Sequence, residues 1–163
     1  MNKKFNAKQL TLLGLMTALL LLMSFTPLGY LNIGPLAITF NVIPVAVSAL
    51  ALGPVGGLIA GSVFGLTSFL QAIGVGGVSM LGSTLFSINP FFSILLCFLP
   101  RMLDGFLLGY IFRSVRKLNR VAACFVTGFA AAFLNTLFFM SALILLFGQT
   151  EYMQGLINGQ NIL

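Results

Sequence analysis

The chain has 163 residues, 59% of them hydrophobic and only 6% charged, where an ordinary soluble domain carries roughly 25% charged residues. Eight Lys and Arg with two acids cannot solvate a globule of this length, and a disordered chain needs the opposite, low hydrophobicity. The composition specifies a single all-α integral membrane domain, and the absence of His excludes His-based zinc sites and Ser-His-Asp triads.

A helix crosses the bilayer with about 20 apolar residues. The first span is expected over Leu10–Thr26, after Lys3, Lys4 and Lys8. Its basic flank and apolar run resemble a signal peptide. No A-x-A cleavage site follows and more apolar spans do, so it reads as a retained span. Gly29–Thr39 is interrupted by Gly29, Gly34 and Pro35 and reads as a loop or short re-entrant piece. Phe40–Leu52 and Val55–Ile73 form the second and third spans, divided by the Gly53-Pro54 turn. The second is short unless it recruits residues before Phe40.

Gly57, Gly61 and Gly65 recur every four residues and share one face of the third span, as Gly14 and Ala18 do in the first. Small residues at this spacing let helix backbones approach closely in lipid, and for the three glycines intramolecular packing is the favoured reading. Gly74–Ser83 is glycine-rich and reads as a loop. The fourth span covers Pro90–Phe112 and the fifth Val121–Phe147, after which Gly148–Leu163 is polar and carries no further span. The result is a helical bundle with five visible transmembrane helices.

The basic residues orient it. Lys3, Lys4 and Lys8 precede the first span, and Arg113, Arg116, Lys117 and Arg120 lie between the fourth and fifth. A cytoplasmic N-terminus puts seven of the eight basic residues on the inner side. Membrane topology thus accounts for the net charge of +6, and nucleic acid is not an expected partner. Cys97 and Cys124 sit in apolar runs, where a thiol acts as a small hydrophobe. No G-x-x-x-x-G-K-[ST] occurs, so no P-loop nucleotide hydrolysis is expected, and nothing calls for a cofactor or metal.

Arg101 lies deep in the fourth span, roughly 15 Å from one end and 18 Å from the other. A charge at that depth costs about 2.5–3.5 kcal/mol on insertion scales and generally faces a cavity or a partner. Asp104, three residues on, is either its partner or serves another helix. Pro100 cannot donate to the Leu96 carbonyl and is expected to break the helix beside the charge, as binding sites in transporters often do. Asn135 is equally deep in the fifth span, while Asn41, Gln71 and Asn89 lie toward the outer ends of theirs. Together with 17 Phe and seven Met, these residues suggest an apolar, adaptable pocket that binds a small organic molecule from outside.

Several segments resemble the substrate-binding S components of energy-coupling factor (ECF) vitamin transporters. They are Gly14-Leu-Met-Thr-Ala18, the run Leu52-Gly-Pro-Val-Gly-Gly-Leu-Ile-Ala-Gly-Ser-Val-Phe-Gly65, Pro100-Arg101 with Gly105, and Leu134-Asn135-Thr136. The glycine-proline turn followed by spaced glycines is the most specific. The resemblance implies six membrane helices, a ligand site toward the outer face and no ATPase activity in this chain. It also implies a transmembrane coupling protein and two ATP-binding cassette ATPases as partners, in the plasma membrane of a prokaryote. The first-helix face, typically Ala-x-x-x-Ala and here Gly14-x-x-x-Ala18, would dock on the coupling protein. Gly148–Leu163 then looks like the outer loop before a sixth helix.

Within the family, the GPLAITFN stretch with Arg101 and Asn135 looks most like pantothenate-type members. Riboflavin, hydroxymethylpyrimidine, folate and pyridoxal-type ligands are the alternatives. Outside it, an autonomous secondary transporter would need coupling carboxylates, and Asp104 is the one acid at membrane depth. A membrane-embedded enzyme is disfavoured by the missing His and scarce acids.

Overall fold

The computed structural model describes residues 6–26, 29–33, 36–75, 80–117, 119–150 and 154–155. In chain order it comprises α1 (Ala7–Ser24), a hairpin of β1 (Tyr30–Ile33) and β2 (Leu36–Thr39), α2 (Val42–Leu52), α3 (Pro54–Ala72), α4 (Met80–Ile88), α5 (Pro90–Val115) and α6 (Arg120–Phe147). The helices begin where the sequence supplies caps. Asn6 Oδ1 accepts from Ala7 N while Gln9 Oε1 accepts from Asn6 N, a capping box. Asn89 accepts from Phe91 N and Phe92 N, ahead of α5, and Asn119 accepts from Val121 N, ahead of α6. Between α2 and α3 the chain reverses at Gly53, whose φ of 80° suits glycine, and Pro54 occupies the first helical position without losing a needed donor.

Three expectations are corrected. Gly29–Thr39 is neither loop nor re-entrant piece but an antiparallel hairpin pairing Tyr30 with Thr39 and Ile33 with Leu36. Its base is closed by Phe40 N donating to Gly29 O. Mutual pairing satisfies backbone groups that a loop at the membrane edge would leave open. Gly34 and Pro35 lie outside the described residues. Secondly, the stretch read as a loop over Gly74–Ser83 already turns helical at Met80, so a nine-residue α4 precedes α5 and brings the helices among the described residues to six. Thirdly, α5 runs unbroken through Pro100. Among the described residues four helices are long and apolar enough to cross a membrane, and α2, with 11 residues, is a shorter apolar helix. The hairpin, not an extension of α2, occupies the sequence before Phe40. Lys3, Lys4, Glu151 and most of the expected outer loop Gly148–Leu163 lie outside the described residues.

The glycine face of α3 packs on α5 in antiparallel register. A Cβ on Gly57 would overlap the Gly105 carbonyl, and a Cβ on Gly105 would overlap that of Gly57. Gly61 sits in the same way against the Arg101 carbonyl, Gly65 against Cys97 and Phe98, and Gly109 against the Gly53-Pro54 turn. Each step on α3 is matched by a step of one turn on α5, so four successive turns meet backbone to backbone. Around this pair stand three apolar clusters. Leu20, Val45, Ala60 and Phe64 join α1, α2 and α3. Val42, Ala46, Ala49, Leu108 and Ala131 join α2, α5 and α6. Leu85, Leu96, Leu143 and Phe147 join α4, α5 and α6.

Candidate functional site: a buried arginine and the polar groups around it

Arg101 is held from three sides. Its Nη1 donates to the Leu96 carbonyl at 3.2 Å, and its Cζ lies 5.0 Å from the Phe64 ring centroid and 5.2 Å from that of Phe139. Leu96 is the residue whose helical donor would have been Pro100. The guanidinium takes the acceptor that proline leaves open, which explains why α5 continues there without a break. Cation–π contacts of this kind contribute about 0.5–2 kcal/mol each, rising with desolvation.

The side chain therefore reaches back along α5 toward Leu96 and away from Asp104. Asp104 is 1% exposed and its Oδ1 has no hydrogen-bond partner among the described residues; the same holds for Asn135 Oδ1. These two groups come to one level. Leu108 and Ala131 share a cluster, Arg101 touches Phe139, and between those layers the antiparallel helices present Asp104 and Asn135. Arg101, Asp104 and Asn135 thus occupy adjacent turns where α5 faces α6.

Asn41 and Gln71 meet elsewhere. Asn41 Nδ2 donates to Ser24 Oγ at 3.0 Å, Ser24 Oγ to Thr67 Oγ1 at 3.2 Å, and Gln71 Nε2 to the Ser24 carbonyl. All four residues are buried, and they knot the end of α1 to the start of α2 and the last turns of α3. Asn89 is engaged as the cap of α5. Of the five predicted ligand residues, the fold sets Arg101 and Asn135 on neighbouring turns of α5 and α6, unites Asn41 with Gln71 through Ser24, and leaves Asn89 apart.

A family model described as the ECF transporter, substrate-specific component, matches residues 8–160. The chain belongs to this family. No curated protein matches it. As a substrate-specific component it is a transport subunit and not an enzyme, and the match reaches from α1 to beyond α6.

In this S component Gly14 and Ala18 are exposed on α1, and a Cβ at Gly14 would meet nothing within 4 Å. The contrast with Gly57 and Gly61, filled by α5, separates the two small-residue faces. Sequence reasoning missed Ser24 and Thr67 of the polar knot and the aromatic walls Phe64 and Phe139. A signal was present for Thr67, which stands one turn before Gln71 and so shares its face of α3.

Proposed function

We propose that this S component binds a small anionic vitamin of the pantothenate class, with Arg101 and Asn135 as its direct contacts. The observation that carries the reading is a permanent cation built into an apolar bundle between two phenylalanine faces, with Asn135, whose amide oxygen has no hydrogen-bond partner among the described residues, one turn before the second of them on α6. A guanidinium offers a planar fork of donors to a carboxylate. Asn135 and Asp104 offer acceptors to hydroxyl or amide donors of the same ligand. Asn41, Gln71 and Asn89, already engaged within the protein, shape the outer wall and hold the helix ends that frame it. Gly14 and Ala18 form the face that docks on the coupling protein, two ATPase subunits supply the energy, and the N-terminus lies in the cytoplasm of a prokaryote.

Titration calorimetry with pantothenate tests this directly. Arg101→Ala should weaken binding by about 2–5 kcal/mol, as for a buried charge contact losing one partner. Arg101→Lys should weaken it less but measurably, since a point charge cannot reproduce the fork. Parental affinity in Arg101→Ala overturns the assignment. Mass spectrometry of small molecules released from the purified protein would identify riboflavin, hydroxymethylpyrimidine, folate or a pyridoxal-type ligand if one of those is the substrate. One observation favours a second reading, a secondary transporter: the buried Asp104 at membrane depth, whose Oδ1 has no hydrogen-bond partner among the described residues. Copurification of ATP-binding subunits with the tagged chain decides against it, and uptake by the chain alone in proteoliposomes decides for it.

A further inference from the structure

The bundle end opposite the polar knot carries a pocket of about 340 Å³ lined by Gln9, the Leu50–Gly53 segment, Phe112, Arg113 and Arg116. We propose that this pocket binds the phosphate headgroup of an anionic phospholipid.

Arg113 and Arg116 are three residues apart at the end of α5, so both guanidiniums project from one face of its last turn. That of Arg113 lies flat over Gly53, with Nη2 2.6 Å and Cζ 3.2 Å from where a Cβ would stand. The missing side chain is what lets the guanidinium settle against the turn. That of Arg116 lies 5.8 Å from the Phe112 ring centroid. Among the described residues neither has a hydrogen-bond or ion-pair partner. Asp104, the acid among those residues, is buried in the bundle interior. Gln9 Oε1 is occupied by the α1 capping box, which leaves its amide N–H groups as donors to the pocket. Every polar side chain at the pocket is therefore a donor.

The negative end of α5 explains why basic residues sit here. It does not explain why two of them converge on a cavity closed by a second helix and a glycine turn. The C-terminus of α2 and the N-terminus of α3 abut in that turn, so their opposed dipoles largely offset and the guanidiniums set the field. Two planar forks match the oxygens of a phosphodiester. The source follows from the surroundings. Leu10 and Tyr110, 61% and 51% exposed, follow Gln9 on α1 and precede Arg113 by one turn on α5, so apolar surface begins beside the pocket. Acyl chains would run along these surfaces while the headgroup fills the basic cavity, as in other basic pockets between transmembrane helices.

Native mass spectrometry of the purified, delipidated protein, mixed with phosphatidylglycerol or phosphatidylcholine of matched chains, tests the assignment. Phosphatidylglycerol should be retained preferentially. Arg113→Gln/Arg116→Gln should lower its retention about tenfold or more, the loss of at least one charge-assisted hydrogen bond. Lys117→Gln/Arg120→Gln removes the same charge outside the pocket and should leave retention near the parent's. Equal loss in both double variants would reduce the site to diffuse attraction and overturn the proposal. Displacement of the lipid by millimolar inorganic phosphate would overturn the lipid as occupant. If the Gln pair unfolds, Arg113→Lys/Arg116→Lys decides: it keeps the charge and loses the forks, so parental retention would refute a headgroup clasp.

Discussion

Helices α3 and α6 both have the length and apolarity of membrane spans, yet they are built on opposite plans. In α3, with a mean hydropathy of 1.4, 56% of the apolar window is buried inside the protein; in α6, with 2.2, the figure is 11%. The less hydrophobic helix is the more buried one. In water the order would be reversed, because burial there follows apolarity. In lipid the tails are as apolar as the side chains, so apolarity marks exposure, and closeness of backbone contact decides what is buried. Glycines let α3 meet α5, while Phe125, Phe129 and Phe133 of α6, 77%, 76% and 56% exposed, face outward.

Matched substitutions can break this contrast. Gly61→Leu should have the largest effect. Its side chain would be driven into the Arg101 carbonyl, where only backbone can give, so a loss above about 3 kcal/mol is expected, read as failure to recover folded protein in detergent. Near-normal thermal stability would show that α3 and α5 do not meet in this register. Ser24→Ala removes the acceptor of the Asn41 amide and the donor to Thr67 while sparing the backbone contact from Gln71. It should cost about 1–3 kcal/mol, seen as a lower melting temperature, with no change if water replaces the hydroxyl freely.

Gly14→Leu meets open space and should leave stability within about 0.5 kcal/mol. Its expected effect is on assembly, because a bulky residue on the proposed docking face should abolish copurification of the coupling protein. Normal assembly would mean that the partner uses another surface. Gly128→Leu, on the exposed side of α6 with nothing within 4 Å of its Cβ, should change neither stability nor assembly measurably. A large effect at Gly128 would reveal a hidden partner for α6 and dissolve the contrast with α3.

Most of the helical framework was legible because apolar length and glycine spacing are local signals. Gly57, Gly61 and Gly65 even announced internal packing, although their counterparts Gly105, Arg101 and Cys97 could not be paired from sequence. The hairpin was hidden because Gly34 and Pro35 signal a turn without saying whether the flanking residues pair. The short α4 was hidden by the glycines before Met80 and by a length too small for a span. Arg101 stood out by its cost in an apolar helix. Its partners did not: a carbonyl freed by Pro100 and two aromatic faces leave no mark in a pattern of residue types. The Ser24 knot escaped for a related reason, since its four groups come from three helices and each looks incidental alone.

The α3–α5 contact has a mechanical consequence. Where side chains interdigitate, helices can creep past one another by repacking; where backbone meets backbone, no soft element exists to take up a partial shift. Every intermediate offset would drive a carbonyl oxygen into a Cα. The next permitted position is a whole turn away, about 6 Å for four residues. It would set Gly61 against Gly105 but bring Gly65 under Arg101, pulling the Phe64 ring of α3 away from the guanidinium. The pair is consequently locked at a single notch and travels as one stiff spar. Movement in this protein must be carried by the whole body or by the outer helices α1 and α6, the least buried of the spans, with the spar as their fixed reference.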